Sequence, residues 1–204
     1  MRIEAVVWRR LAWVACSLPL LVLVYQALTL NLGGNPVEAL EHELGSWALI
    51  FLLCSLSITP LRQWLKRPEL AVLRRTFGLF AFSYALLHVL VYAVLDRGLL
   101  VSELLTDLSK RPYVMLGAAA FVLLTVLAAT SPKRVVRALG AARWKTLHLA
   151  VYAAAALAVS HFMWLKWDKN LLDRPLVYLA VLLLLLVVRL PIVQRLYTSS
   201  SGRS

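Results

Sequence analysis

The sequence predicts an all-α integral membrane protein: a bundle of six transmembrane helices with both termini in the cytoplasm. Three observations lead there. Hydrophobic residues make up 61% of the 204-residue chain and charged ones 16%, against about 45–50% and about 25% in soluble domains; mean hydropathy is +0.77. The apolar residues are gathered into six long runs. The net charge of +12 falls in the short segments between those runs, where orientation in a bilayer explains it and a nucleic-acid partner does not.

A crossing needs about 20 mostly apolar residues. The runs lie at 11–30, 45–61, 76–95, 113–130, 146–165 and 175–194. They are too long for barrel strands, so each must satisfy its own backbone as a helix. The first follows Arg2, Arg9 and Arg10, but its apolar stretch is too long for a signal peptide and no small-residue cleavage site follows. The arginine pair reads instead as an orientation anchor.

Sixteen Lys and Arg fall on the side of the termini and six on the other. Positive charge stays inside, which places both termini in the cytoplasm and makes the third and fifth runs cross in the same direction. Residues 1–10 form a cytoplasmic N-terminus, 11–195 the membrane domain, and 196–204 a disordered cytoplasmic tail. The longest connections, 31–44, 62–75 and 96–112, are far below the ~50 residues of a small domain. Chemistry therefore belongs within the bundle or at its faces. Cys16 and Cys54 sit inside apolar runs with no CxxC spacing and read as small packing residues. No internal repeat is evident.

Four histidines remain: His42, His88, His148 and His161. A single intramembrane histidine is often only an interhelical hydrogen-bonding group worth about 0.6 kcal/mol. Three of them on two runs, with few other ionisable groups, point to function, and neutral imidazole ligates haem iron. By helical rise, His88 lies about 18 Å and His161 about 22 Å from the inner ends of their runs. Facing helices would present both imidazoles to one iron in the outer half of the bilayer. His148 lies only about 3 Å in and cannot share that iron. It precedes His161 by 13 residues, a phase difference of about 220° on an ideal helix. Either the fifth run is tilted or irregular, or His148 works on a different surface. No histidine on the third run matches its level; Arg74 and Arg75 stand there. The pattern supports one bis-His site, and a second haem only with an unusual ligand set.

Tyr84, Tyr92, Tyr152 and Trp164 would surround the outer site, either as an interfacial aromatic belt or packed on a flat macrocycle. Ala153 to Ala156 and Ala158 would admit either a planar ligand or a neighbouring helix. His42 with Glu38, Glu41 and Glu43 fits an acidic helix start better than a metal site.

An ordered set of motifs runs through nearly the whole chain: Gly34-Asn35-Pro36-Val37-Glu38, Glu41-His42, Gly45-x-Trp47-Ala48-Leu49, Ile58-Thr59-Pro60-Leu61-Arg62, Arg74-Arg75-x-x-Gly78-Leu79 with Tyr84 and His88, Arg111-Pro112-Tyr113, Thr130-Ser131-Pro132, Trp144-x-x-Leu147-His148 with Tyr152, and His161-Phe162-x-Trp164. In this order they resemble the MsrQ family, the haem-binding membrane subunits of protein-methionine-sulfoxide reductase systems. The resemblance implies a ferric-reductase-like bundle in the bacterial inner membrane, holding haem b and also FMN. It implies an electron-transfer subunit, drawing on the respiratory quinone pool and delivering to MsrP, a periplasmic molybdopterin enzyme that repairs oxidised proteins. It makes His88, His148 and His161 the haem-ligand candidates. It places Arg74, Arg75 and Trp144, with Arg143, Lys145 and His148, near the quinone or flavin end. The positive-inside bias alone would also put basic residues there.

The sequence contains no Gly-rich phosphate loop, so the expected electron donor is lipid-soluble or a partner protein. A periplasmic partner would meet 31–44, 96–112 and 166–174, where Glu103, Asp107, Asp168 and Asp173 would steer encounter. The alternative is a non-redox scaffold or transporter subunit with structural histidines. The runs lack the Gly/Pro-broken helix pairs of many transport sites.

Overall fold

The computed structural model describes residues 2–167 and 170–190, with side chains from 4 onward. The end of the sixth expected crossing, Asp168 and the tail at 196–204 lie outside the described residues. Every regular element among those described is helical.

The helices are α1 (Arg2–Leu28), α2 (Pro36–Trp64), α3 (Ala71–Val91), α4 (Val101–Lys110), α5 (Pro112–Ala129), α6 (Lys133–Leu139), α7 (Ala141–His148), α8 (Ala150–Trp167) and α9 (Asp173–Val187). Five stretches are long and apolar enough to cross a membrane: Glu4–Leu28, Pro36–Trp64, Pro68–Asp96, Pro112–Ala129 and Ala141–Trp167. The sixth expected crossing is seen as α9, with 15 residues, about 22 Å of helix against a hydrocarbon core of about 30 Å. Turns at 188–190 follow it.

Several boundaries differ from the expected ones for a common reason. Hydropathy marks only the lipid-buried part of a helix, while backbone hydrogen bonding carries the helix on until a cap stops it. Residues 2–10 are thus helical and continuous with α1. Most of the expected loop 31–44 belongs to α2, which starts at Pro36 behind an Asn35 cap whose side chain accepts the Glu38 N–H at 3.3 Å; proline suits a first helical position. The connection 96–112 holds α4, and 131–145 holds α6 and the start of α7. Gly140, at φ +78°, separates those two, a left-handed turn that favours glycine.

Helices α2 and α3 pack as one antiparallel pair, and α5 and α8 as another. The pairs meet through α3 on α5 and α2 on α8, so the four helices enclose a common interior. α1 leans on α3 and α2, and α9 on α8 and α2. Outward-facing Val14, Leu21, Val122 and Leu184 are each about 60% exposed, an apolar belt that suits lipid. Cys16 and Cys54 are free thiols, with Cys16 buried.

Tyr84 is only 1% exposed and does not stand at the histidine site. Its Oη donates to the Cys16 carbonyl at 2.8 Å and accepts the Leu20 N–H at 2.9 Å. Those two groups would otherwise bond each other along α1. Pro19 lies between them, and a proline disrupts the ladder, so the tyrosine of α3 is inserted where α1 is locally open.

Candidate functional site

His88 on α3 and His161 on α8 face each other across the interior, with ring centroids 6.4 Å apart. Each ring is fixed from the neighbouring helix of its own pair. His88 Nδ1 lies 2.9 Å from the Glu41 carbonyl of α2. His161 Nδ1 lies 2.6 Å from the Tyr113 carbonyl of α5. A carbonyl only accepts, so Nδ1 carries the proton in both rings, and the Nε2 lone pairs are left for a ligand.

Both rings border a cavity of about 520 Å³, within the usual range for cofactor sites. Leu49, Ala85, Ala118, Phe121, Ala158 and Phe162 supply its apolar walls. One iron bound by two imidazoles needs metal–nitrogen bonds of about 2 Å and two ring radii, a centroid separation of about 6 Å. The chemistry of the donors, the spacing and the apolar cavity all fit a bis-His haem.

At the α4 end the cavity is rimmed by Tyr92, Arg97 and Arg111. After α3 the backbone widens into a π-helical turn, Tyr92–Asp96, with the Arg97 N–H reaching back to the Tyr92 carbonyl at 3.0 Å. Wide turns of this kind recur at functional sites. This one brings Tyr92 and Arg97 to Asp107 of α4, which is 7% exposed. Tyr92 Oη donates to Asp107 Oδ2 at 2.7 Å. Arg97 Nε lies 2.8 Å from the same oxygen, and Arg111 Nε lies 3.1 Å from Oδ1. The Arg97 contact is off the hydrogen-bond direction and acts as an ion pair. Burial works against the Arg97 charge, but Tyr92, Asp96 and Asp107 more than offset it, so the guanidinium is held above its ordinary range. Asp107 is therefore a buried tie, not the surface steering charge the sequence led us to expect.

The other expected residues gather at the α6–α7 end. His148 Nδ1 is 3.2 Å from the Trp144 carbonyl one turn back in its own helix, and the two rings stack at 4.0 Å. Trp144 Nε1 donates to the Thr130 carbonyl at 3.0 Å. The Arg74 carbonyl accepts Ser55 Oγ at 2.9 Å. Arg75 is exposed and joins no recorded contact there. Between the two histidines the helix is interrupted at Leu149, where Leu149 N–H bonds the Thr146 carbonyl and Tyr152 N–H bonds the Leu149 carbonyl, both at 3.1 Å. These are tightened turns, and the two histidines also lie on different surfaces, His148 against Trp144 and His161 on the cavity.

Sequence reasoning missed Arg189. It donates to the Leu56 carbonyl and lies 5.3 Å from the Tyr152 ring centre, so Tyr152 belongs to this end and not to the histidine pair. Trp164 is half exposed, as a belt residue would be. Of the alanines, Ala154 and Ala155 are fully buried in helix packing, and Ala158 lines the cavity. No group of three or more potential metal ligands exists among the described residues, and His42 pairs instead with Lys166 at 3.4 Å and Glu38 at 4.0 Å.

Comparison with known proteins places the chain in a family. The family described as ferric reductase like transmembrane component matches residues 44–159, a span that includes α3, α5 and α2 from Leu44 onward. The protein-methionine-sulfoxide reductase heme-binding subunit MsrQ of Polaromonas naphthalenivorans is 44% identical over 176 residues, 86% of this chain and 80% of that protein. The chain belongs to the MsrQ family. MsrQ of Bordetella pertussis is 51% identical over 156 residues, 76% of this chain and 75% of that protein. MsrQ of Agrobacterium fabrum is 45% identical over 166 residues, 81% and 75% respectively. This MsrQ-family chain is a multi-pass helical membrane protein, and its two facing histidines are contributed by two different helix pairs.

Proposed function

We propose that the chain is a haem-binding electron-transfer subunit of the bacterial inner membrane. In this reading it takes electrons from the quinone pool near the α6–α7 end, with FMN as a further cofactor. It passes them through haem b to a periplasmic molybdopterin methionine-sulfoxide reductase of the MsrP type. The observation that carries this reading is the His88–His161 pair, 6.4 Å apart with both Nδ1 atoms committed to carbonyls.

Haem b supplies a one-electron carrier at that site when bound. The chain does the rest. His88 and His161 would hold the iron through their Nε2 atoms, and their carbonyl bonds orient the rings and raise their basicity as ligands. The apolar walls exclude water, and the Asp107 tie closes the α4 end of the cavity. The asymmetry of sixteen against six Lys and Arg turns that end outward, where a periplasmic acceptor approaches. In this reading α9 belongs to the sixth crossing and both termini lie inside.

The test is a reduced-minus-oxidised spectrum of the purified protein and of its His88→Ala and His161→Ala variants. The wild type is expected to show a low-spin b-type spectrum, and each variant to lose it. Wild-type spectra and haem content in both variants would refute the assignment.

A further inference from the structure

The two ligand histidines are seated by the same backbone device, used twice. Glu41 and Gly45 are four residues apart on α2, and Tyr113 and Gly117 are four apart on α5. In each pair the earlier residue offers its carbonyl to a histidine Nδ1, and the glycine lies under the same ring. A Cβ built on Gly45 would stand 3.3 Å from His88 Nδ1 and 3.4 Å from its Cε1. A Cβ on Gly117 would stand 2.9 Å from His161 Nδ1 and 3.0 Å from its Cε1. The tighter seat goes with the shorter bond, 2.6 Å at His161 against 2.9 Å at His88.

Glycine inside a helix is unfavourable relative to alanine. Gly78 of α3 shows that the site is special, since a Cβ there would meet only Ser55 Oγ, at an ordinary 3.5 Å. Under the histidines the missing Cβ lets the ring lie flat on the neighbouring helix and reach a carbonyl that already belongs to a helical ladder. With a methyl in place the ring must lift, and its Nδ1–H leaves the carbonyl as it does so. The side chain cannot swing aside cheaply, because the atoms that clash are those of the ring itself.

We infer that Gly45 and Gly117 are positioning residues for the haem ligands, with Gly117 the stricter of the two. They act through the histidines, setting how far each Nε2 projects into the cavity. This rests on the bis-His reading above. Loss of an outer partner of a metal-ligating histidine weakens metal binding by about 10- to 100-fold, and Gly117→Ala is expected to fall in that range. Gly45→Ala is expected to do less, since its neighbour need yield only a few tenths of an ångström.

The experiment compares Gly117→Ala, Gly45→Ala and Gly78→Ala in the full chain, purified in detergent. Haem retention is measured by transfer to an apo-haem acceptor, and spin state by electron paramagnetic resonance. Gly117→Ala should release haem faster and convert low-spin to high-spin signal, and added imidazole should restore the low-spin form by replacing the displaced ring. Gly45→Ala should shift the same readouts less, and Gly78→Ala not at all. If Gly117→Ala does not accumulate, Gly45→Ala decides by the same readouts. Wild-type retention and spin state in the glycine variants would overturn the inference, as would an equal effect of Gly78→Ala. In either case, loss of the spectrum in His88→Ala and His161→Ala would leave the ligand assignment standing. If those two kept it, assignment and inference would fall together.

Discussion

The two ends of the bundle use histidine in opposite ways. At the α4 end, His88 and His161 are each bonded by a helix other than their own, to carbonyls 47 and 48 residues away in sequence, and both rings border one cavity. At the α6–α7 end, His148 bonds a carbonyl four residues back in its own helix and stacks on Trp144, with no second imidazole opposite. A side chain held from a neighbouring helix stays fixed only if the tertiary packing is fixed, which is the preorganisation a metal site requires. A side chain held by its own helix keeps its geometry wherever that helix goes. It suits a surface role beside a mobile donor.

The sharpest way to break the comparison is to untie the α4 end without touching a ligand. Asp107→Ala removes the shared partner of two guanidiniums and the Tyr92 hydroxyl, leaving Arg97 with Asp96 and Arg111 with Tyr113. Removing one partner of a buried pair costs about 3–5 kcal/mol. The partial exposure of Arg111 places the expected loss toward the lower end. Thermal unfolding in detergent should show a large drop, and the haem spectrum should be lost at a lower temperature than in the wild type. An unchanged melting profile would mean that the rim is not held by this tie.

His148→Ala probes the other side of the contrast. The low-spin spectrum of the His88–His161 site should persist, while the rate of haem reduction by added quinol falls about tenfold, equivalent to about 1.4 kcal/mol. Loss of all haem would show that the two ends are not separate sites. Trp144→Phe is milder. It removes one hydrogen bond to Thr130, worth about 1 kcal/mol, while keeping an aromatic ring against His148. Quinol-driven reduction should slow two- to fivefold by this order of magnitude, ~0.5–1 kcal/mol, with the spectrum unchanged. A rate equal to that of the wild type would remove Trp144 from electron input.

The smallest effects belong to surface charge. Glu103 and Asp173 are exposed, unlike Asp107. Glu103→Lys and Asp173→Lys should slow re-oxidation of the reduced protein by the proposed periplasmic acceptor at low salt. The difference should vanish as salt shortens the screening length below about 8 Å. Stopped-flow rates that respond neither to the reversals nor to salt would place docking on an apolar surface.

Much of the site was legible in residue types. The matched depths of His88 and His161 required only helical rise and the positions of two apolar runs, and the facing pair appeared where those depths put it. The oddity of His148 was legible too, as a phase that a straight helix cannot align with His161; the structure sets the two on different surfaces, His148 against Trp144 and His161 on the cavity. Other features were invisible for a definite reason. Asp107 reads as one more polar residue in a short connection until the π-helical turn after α3 turns Tyr92 and Arg97 toward it. Tyr84 and Tyr152 sit at depths that allow several faces, and depth says nothing of azimuth. The separations of 47 and 48 residues between carbonyl and histidine are nearly equal. Backbone carbonyls carry no residue signature, however, so nothing marked Glu41 and Tyr113 as equivalent.

Sequence alone determined where the long apolar helices lie and which connections are basic, because hydropathy and charge depend on composition along a run, summed without reference to neighbours. It also determined that few ionisable groups enter the membrane and that histidines stand out among them. Only the tertiary structure decided which helices pair, which carbonyl each imidazole takes, and that Gly45 and Gly117 lie beneath the rings. Those are contacts between distant segments, set to within tenths of an ångström by packing. A hydrogen bond or a missing Cβ acts only when its partner has been brought to it.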